Sequence, residues 1–274
     1  MRIVHTVADL RQHLRPFRHP AVVPTMGNLH AGHLALVQAA KPLGDVTVAT
    51  IFVNRLQFGP NEDFDTYPRT LQADCAQLEA AGCDLLFAPS EAELYPQPQA
   101  FTVQPDPVLA GMLEGQHRPG FFQGVCTVVL KLLACTQARY ALFGKKDYQQ
   151  LLIIRHMVRQ FALPVDIIGQ NTCRDADGLA MSSRNGYLSP QQRKQAALLW
   201  QTLNKCAQAV RAGGTHFAEL ENQALQTLRD AGWMPDYVAI RRQSDLQAPQ
   251  IGVPLVVLGA ARLGSTRLID NLEI

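Results

Sequence analysis

The chain has 274 residues, of which 47% are apolar and 18% are charged, so it is long enough for about two domains with packed cores. The formal net charge of +2 argues against a basic surface built for nucleic acid but allows a local anion site. The six cysteines show no C-x-x-C spacing, so thiolate zinc sites and a secreted disulfide scaffold are not expected.

The amino-terminal residues lack the apolar stretch of a signal peptide. The most apolar window, 125–135, contains a lysine and is shorter than the roughly 20 residues of a bilayer span. We therefore expect a soluble chain in the reducing cytoplasm, with neither a membrane nor a nucleic acid as partner.

Through the first part of the chain, short β-branched runs alternate with helix-like stretches. Strands are predicted over 21–24, 46–53, 85–88, 141–143 and 165–168. Helices are predicted over 31–40, 69–81, 126–135 and 148–161, and a capping box, Ser90-x-x-Glu93, predicts a further short helix. This alternation is typical of parallel strands joined by right-handed crossovers.

Near residue 172 the pattern changes. A capping box with proline at the first helical position, 189–192, predicts a long helix that runs to about residue 212. A second helix is predicted over 217–231, and short strands over 237–241, 253–258 and 267–272. The predicted fold class is α/β: a doubly wound, Rossmann-like parallel sheet in residues 1–172, followed by a smaller α+β domain in residues 173–274.

The segment 24–33 reads P-T-M-G-N-L-H-A-G-H and lies where a predicted strand passes into a predicted helix. Helix N-termini at the carboxyl ends of parallel strands offer N–H groups to phosphates. Gly27 and Gly32 would allow close approach, and His30 and His33 would share a helix face and donate hydrogen bonds to a phosphoryl group. Neither G-x-G-x-x-G nor the lysine of a P-loop is present. The alternative is a pair of capping or core histidines.

Two further loops follow predicted strands. The segment 52–60 places the neutral amides of Asn54 and Gln57 where they suit a hydroxylated or carboxylated small molecule. The segment 143–150 reads F-G-K-K-D-Y-Q-Q, in which a lysine could neutralise phosphate and Asp147 could cap a helix or meet a metal ion. The alternatives are an ordinary turn with capping amides and a solvated Lys-Lys-Asp turn.

A fourth segment, 178–185, reads G-L-A-M-S-S-R-N at the proposed domain junction. Serine hydroxyls and the guanidinium of Arg184 suit a phosphate-binding loop, and a junction loop can act as a lid. The alternative is a polar interdomain linker.

Together these segments resemble the pantoate–β-alanine ligase family over nearly the whole chain. The shared motifs are P-T-M-G-N-L-H-x-G-H, F-V-N-x-x-Q-F, Y-P-R-T (67–70), R-P-G-x-F-x-G-V (118–125), K-D-Y-Q-Q (146–150), D-G-L-A-x-S-S-R-N-G-Y-L (177–188) and R-L-I-D-N (267–271). H-x-G-H and Ser-Ser-Arg also resemble the two signatures of class I aminoacyl-tRNA synthetases and their nucleotidyltransferase relatives. The sequence departs from the family at Arg55, usually proline, and at Lys145, often acidic.

The resemblance implies a ligase that joins (R)-pantoate to β-alanine with ATP, through a pantoyl adenylate, and releases AMP and diphosphate. It implies His33 as general acid with His30 beside it on the triphosphate, and Lys146 and Arg184 as phosphate-binding residues. The ATP-binding residues that it implies are Met26, Gly27, Asn28, Leu29, His30, Ala31, Gly32, His33, Gly144, Lys145, Lys146, Asp147, Cys173, Met181, Ser182, Ser183 and Arg184.

By the same resemblance, Gln57 and Gln150 would bind pantoate, with Gln57 also near β-alanine. Mg²⁺ would arrive with ATP, with Asp74 and Asp147 as candidate ligands, and the chain would form a homodimer. Two alternatives are a nucleotidyltransferase that releases a dinucleotide and a regulatory module that binds a nucleotide. The two glutamines, and ATP turnover only with pantoate and β-alanine, distinguish the ligase from both.

Overall fold

A computed structural model describes residues 1–60 and 62–274. The chain forms two compact units. The first unit comprises Met1–Lys145 and Ile153–Asn171, and the second comprises Lys146–Leu152 and Thr172–Ile274. The second unit therefore takes a short segment from the middle of the chain in addition to the carboxyl-terminal part.

The first unit is built on a six-stranded sheet in which every neighbouring pair is parallel. Its strands are β1 (Arg2–Val4), β2 (Pro20–Thr25), β3 (Val46–Ile51), β4 (Leu85–Phe87), β5 (Tyr140–Gly144) and β6 (Asp166–Gln170). The order is β1-β4-β3-β2-β5-β6, so the direction of winding reverses between β2 and β5. Ligands of open α/β sheets bind at such a reversal. The predicted doubly wound α/β class is confirmed.

Helices connect these strands. They are α1 (Val7–Leu14), α2 (Ala31–Ala40), α3 (Leu71–Ala80), α4 (Glu91–Leu94), α5 (Pro107–Ala110), α6 (Glu114–His117), α7 (Phe121–Thr136) and α8 (Tyr148–Gln160). The central strands are continuous apolar runs because both of their faces are covered, and Val23, Val37, Leu78 and Leu142 are fully buried in one cluster. Among the helices in the described part of the chain, none is long and apolar enough to span a bilayer.

The second unit contains three helices and an antiparallel sheet. The helices are α9 (Pro190–Gln195), α10 (Leu198–Arg211) and α11 (Phe217–Asp230), and the strands, in sheet order, are β7 (Met234–Arg242), β8 (Leu255–Leu263) and β9 (Thr266–Glu273). Leu203, Leu228, Ile240 and Val257 are fully buried at its core. The predicted α+β character of this part is confirmed.

The prediction of one long helix to about residue 212 is wrong, because α9 ends before α10 begins. The N–H of Ala196 bonds to the carbonyl of Arg193, three residues back, instead of continuing the α-helical pattern. Ala196 and Ala197 are both buried in the core of the second unit. Packing of these two alanines thus overrides their high helix propensity. The start is as predicted: Ser189 and Gln192 form both halves of the capping box.

Candidate active site

The loop after β2 has a backbone that only particular residues adopt. Gly27 has φ +82° and Asn28 has φ +50°, in the left-handed region that favours glycine and asparagine. A Cβ on Gly27 would lie 3.0 Å from Asp74 Oδ2 and 3.1 Å from Ile51 Cγ2. Glycine is therefore required here both by conformation and by close approach to the side chain that holds the loop.

That side chain is Asp74 of α3, which is 1% exposed. Its carboxylate accepts the N–H of Asn28 at 3.0 Å, the N–H of Leu29 at 2.8 Å and the hydroxyl of Thr70 at 3.1 Å. Considered from the sequence only as a magnesium ligand, Asp74 uses both oxygens to hold the loop. It lies 46 residues from Asn28 along the chain, so no local pattern predicts this role.

The two histidines meet through capping rather than on one helix face. His30 is extended and forms the N-cap of α2, while His33 is the third residue of the helix. His30 Nδ1 accepts the N–H of Gly32 at 3.1 Å, and His33 Nδ1 accepts the N–H of His30 at 3.3 Å. The ring centroids are 4.0 Å apart. Since Nδ1 accepts in both rings, each neutral imidazole carries its hydrogen on Nε2, where it can be donated to an anion.

The loop after β3 forms a 3₁₀ turn, Arg55–Gln57, beside the first loop. The N–H of Phe52 bonds to the carbonyl of Thr25 at 3.1 Å, which joins the starts of the two loops. Gln57 Nε2 lies 3.1 Å from Met26 Sδ, and its Oε1 accepts from Asn54 Nδ2 at 3.1 Å. The amide of Gln57 and the H-x-G-H loop therefore belong to the same edge of the first unit's sheet.

Arg118, of the R-P-G-x-F-x-G-V motif, anchors this turn. It pairs with both carboxylate oxygens of Glu62 at 2.6 and 2.7 Å, lies 3.5 Å from Glu114, and donates to the carbonyl of Gln57 at 3.3 Å. Its guanidinium also stacks 3.6 Å from the centre of the Phe121 ring. Arg118 is largely buried, so this ionic cluster fixes the turn that carries Gln57. Sequence reasoning assigned the motif to the family but gave Arg118 no role.

The departure at Arg55 has a local explanation. Its side chain bonds to Glu91 at 3.2 Å and stacks 3.9 Å from the centre of the Phe64 ring. Both members of the ion pair are about half exposed, and such surface pairs contribute little stability. The 3₁₀ turn forms with arginine at this position.

In the second unit, β9 holds the Lys-Lys-Asp turn that follows β5. The turn spans Lys145–Asp147 and leads directly into α8. Asn271 Nδ2 donates to the carbonyl of Lys146 at 2.8 Å. Gln150 lies in the first turn of α8 and is half-buried. The R-L-I-D-N motif near the carboxyl end thus supports the segment that contains Lys146.

The neighbouring residue of β9, Asp270, anchors the loop at 173–184. Arg174 donates to both carboxylate oxygens of Asp270, at 2.6 and 2.9 Å. The N–H of Met181 bonds to the carbonyl of Cys173 at 3.0 Å, which closes the loop. Ser182 caps the following 3₁₀ helix by accepting the N–H of Arg184 at 3.3 Å. Consecutive residues of one strand therefore hold two of the predicted phosphate-binding segments.

The residues that sequence analysis nominated fall into one group in each unit. The first unit brings together the H-x-G-H loop and Gln57, and the second brings together Lys146 and the Ser-Ser-Arg loop. Sequence analysis did not identify the supporting roles of Asp74, Arg118, Arg174, Asp270 and Asn271. Within residues 1–60 and 62–274, no three His, Cys, Asp or Glu side chains are grouped so that they could hold a metal ion.

The parallel sheet, with a strand-to-helix loop at the point where its winding reverses, defines a Rossmann-like α/β protein of the nucleotide-binding class. The family model described as pantoate-beta-alanine ligase matches residues 2–273, and the chain belongs to this family.

Relatives named pantothenate synthetase are similar over their whole length. Those of Verminephrobacter eiseniae and Leptothrix cholodnii are 62% and 60% identical to this chain, with 100% of both chains covered in each case. The crystal structure of the Thermus thermophilus pantothenate synthetase is 46% identical, with a TM-score of 0.95 and 99% of both chains covered. That of the Francisella tularensis pantoate-beta-alanine ligase, complexed with beta-gamma ATP and beta-alanine, is 34% identical, with a TM-score of 0.78 and 99% and 97% covered.

Proposed function

We propose that this chain catalyses the reaction for which its family is named, the ATP-dependent condensation of (R)-pantoate with β-alanine to give pantothenate, AMP and diphosphate. The observation that carries the proposal is the H-x-G-H loop. Its backbone is held by Asp74, and both of its imidazoles use Nδ1 internally so that Nε2–H can face an anion.

The chemistry proceeds in two steps. In the first, a carboxylate oxygen of pantoate attacks the α-phosphorus of ATP, a P–O bond forms, and the bond to pyrophosphate breaks. In the second, the amine nitrogen of β-alanine attacks the acyl carbon of the pantoyl adenylate, the C–N bond forms as the C–O bond to AMP breaks, and the nitrogen loses a proton. The first step is needed because a free carboxylate is a poor acyl donor.

The phosphate charge is handled by side chains that donate hydrogen bonds. His33 acts as general acid toward the developing charge on phosphate, with His30 beside it on the triphosphate. Lys146 and Arg184 hold phosphate oxygens, and the hydroxyls of Ser182 and Ser183 assist. The rest of the nucleotide contacts Met26, Gly27, Asn28, Leu29, Ala31, Gly32, Gly144, Lys145, Asp147, Cys173 and Met181.

Gln57 and Gln150 bind pantoate, since neutral amides can hydrogen-bond hydroxyl and carboxylate groups at once. Mg²⁺ enters on the triphosphate as part of the substrate, because Mg²⁺ at nucleotide sites takes only one or two carboxylates from the protein. Asp147, directly after Lys146, is the candidate that we retain, since Asp74 is occupied with the loop.

Residues 1–172 would bind ATP and pantoate, while residues 173–274 would act as a lid that brings Arg184 to the phosphates. We further propose a cytoplasmic homodimer. The support for the dimer is the resemblance to the ligase family. Light scattering of the purified chain tests the dimer.

An isotope-exchange assay tests the reaction. Pantoate alone should drive exchange of labelled pyrophosphate into ATP, because the adenylate forms before β-alanine is needed. Addition of β-alanine should then release AMP and a product with the mass of pantothenate. Exchange that strictly requires β-alanine contradicts the two-step scheme, and the absence of both exchange and product contradicts the proposed function.

A further inference from the structure

A tyrosine outside the site is connected to it by hydrogen bonds. Tyr95 follows α4, and its O–H donates to Asn54 Oδ1 at 2.9 Å. Its ring packs edge-on against Phe52, with centroids 5.7 Å apart, and Lys131 Nζ lies 4.4 Å from the ring centre. Burial, with the charge of Glu91 adding to it, raises the pKa of Tyr95, so the hydroxyl stays protonated and donates.

The acceptor of this hydrogen bond, Asn54, is 1% exposed, and its side-chain amide has a single allowed orientation. The carbonyl oxygen of Gly124 can only accept, so the atom of Asn54 that lies 3.1 Å from it must be Nδ2. The second hydrogen of Nδ2 is donated to Gln57 Oε1, while Oδ1 accepts from Tyr95. Both hydrogens and the oxygen of this buried amide are therefore hydrogen-bonded.

This arrangement also determines the orientation of Gln57. Because its Oε1 is bound to Asn54, its Nε2 lies on the opposite side, next to Met26 Sδ. The amide therefore presents N–H donors, and not its carbonyl, toward the H-x-G-H loop. An acceptor oxygen of a carboxylate or hydroxyl fits such a group, whereas an ammonium does not.

Close packing maintains the hydrogen-bond relay that runs from Tyr95 through Asn54 to Gln57. A Cβ on Gly124 would lie 2.1 Å from the carbonyl oxygen of Leu56 and 2.7 Å from the nitrogen of Gln57. The helix α7 therefore lies directly against the 3₁₀ turn, and this contact brings the carbonyl of Gly124 within reach of Asn54. This close contact explains on steric grounds why R-P-G-x-F-x-G-V has glycine at position 124.

We propose that Tyr95 is a positioning residue of this enzyme, which acts through Asn54 to hold the Gln57 amide with its N–H donors toward the acid substrate. The inference rests on the proposed function, since it assigns Gln57 to the binding of pantoate. Tyr95 itself contacts neither substrate nor nucleotide in this scheme.

Tyr95→Phe is the informative variant, because it removes the donor but keeps the ring that packs against Phe52 and Lys131. Without the Tyr95 hydroxyl, the Gly124 carbonyl still sets which end of the Asn54 amide faces it, but the buried Oδ1 of Asn54 loses the donor at 2.9 Å and the amide holds Gln57 less firmly. We expect the KM for pantoate to rise roughly 2- to 12-fold, the worth of one neutral hydrogen bond. The KM for ATP should change by less than about twofold, since the nucleotide does not depend on Gln57.

The matched control is Tyr140→Phe, which removes a hydroxyl at the amino end of β5, the opposite end of the sheet from the site. Both KM values should stay at the wild-type level in this variant. In a Gln57→Ala background, Tyr95→Phe should cause no further rise in the KM for pantoate, because the residue through which it acts is gone.

Steady-state kinetics of the wild type and these variants, with melting temperatures measured alongside, decide the matter. Wild-type turnover with an unchanged pantoate KM in Tyr95→Phe overturns the relay and leaves the proposed function intact. An equal effect of Tyr95→Phe with and without Gln57 also overturns it, since the action is then independent of that residue. A wild-type chain that does not consume ATP with pantoate overturns both proposals.

Discussion

His30 and His33 each accept a backbone N–H at Nδ1, so local folding and the proposed chemistry use opposite sides of the same ring. Capping fixes where the rings lie, and the Nε2–H is the group that would meet the phosphate. In His33 the two roles have different magnitudes, because one neutral hydrogen bond contributes about 1 kcal/mol to stability, whereas a positioned acid contributes about 10²–10⁴-fold in rate.

Replacing the His33 ring should therefore reduce the reaction far more than the stability. We expect His33→Ala to lower the rate of pantoyl adenylate formation by about 10²–10⁴-fold, measured in a single turnover with pantoate and ATP. His13→Ala is the matched control, because His13 Nδ1 also bonds to backbone, at 2.8 Å from the carbonyl of Asp9 on α1. A folded His33→Ala protein that forms the adenylate at the normal rate would show that the histidine is only a cap.

Asp74 is buried and accepts three hydrogen bonds, so its substitution should affect both the stability of the fold and the binding of ATP. In Asp74→Asn, the amide hydrogens face at least one backbone N–H of the loop, and donor meets donor. We expect a loss of about 1.5–3 kcal/mol in the free energy of unfolding, the worth of a hydrogen bond to a charged group, and weaker ATP binding. Urea denaturation and titration calorimetry measure the two effects.

Asp45→Asn is the control for this loop. Asp45 accepts two backbone N–H groups, of Arg18 and His19, at 2.7 and 2.9 Å, just before β3 and therefore at the far end of the sheet. ATP affinity should be unchanged in this variant. If the Asp74→Asn protein binds ATP as tightly as the Asp45→Asn protein does, the H-x-G-H loop does not need the Asp74 carboxylate in order to bind the nucleotide.

At the scale of elements, β9 supports two segments through adjacent residues, Asp270 and Asn271. Asn271→Ala should remove the bond to the carbonyl of Lys146, lower the free energy of unfolding by about 1 kcal/mol and raise the KM for ATP. Gln243→Ala is a matched control, because Gln243 Nε2 holds the carbonyl of Leu255 at 2.8 Å in the same unit. Equal KM values for ATP in the two variants would rule out a role of β9 in the nucleotide site.

The sequence predicts those elements whose signal is local. Continuous apolar runs identify β2 to β6, and capping residues identify the starts of α4 and α9. The strand β1 has only three residues, of which Arg2 and Ile3 are exposed, so it lacks both length and an apolar run. The break after α9 depends on burial of two alanines against a core that forms only in three dimensions.

The candidate site follows the same rule. Loops that begin at strand ends are contiguous in the sequence, so H-x-G-H and Ser-Ser-Arg are identified directly. Their supports are distant in the chain: Asp74 is 46 residues from Asn28, and Arg174 is 96 residues from Asp270. No spacing or periodicity connects such pairs. A single sequence therefore nominates loops for the ligand but does not show what holds them.

For the whole molecule, the proposed phosphate-binding residues come from both units, with His30 and His33 in the first and Lys146 and Arg184 in the second. An adenylate must be kept from water until the amine arrives. Under the proposed function, we expect the ordering of the Ser-Ser-Arg loop to depend on ligands.

Arg184 lies in a short 3₁₀ helix, Ser183–Tyr187, whose residues Gly186 and Tyr187 are exposed. Trypsin should cut after Arg184 in the unliganded protein, and saturating ATP with pantoate should slow this cleavage. Cleavage after the exposed Arg211 at the end of α10 should not change.

Arg184→Lys keeps the charge but loses the planar fork that meets two phosphate oxygens, so its adenylation rate should fall, and that of Arg184→Ala should fall further. Mass mapping of the fragments and single-turnover adenylation give the two readouts. If ligands leave the cleavage unchanged and Arg184→Ala forms pantoyl adenylate at the wild-type rate, the segment is a linker and the lid proposal is wrong.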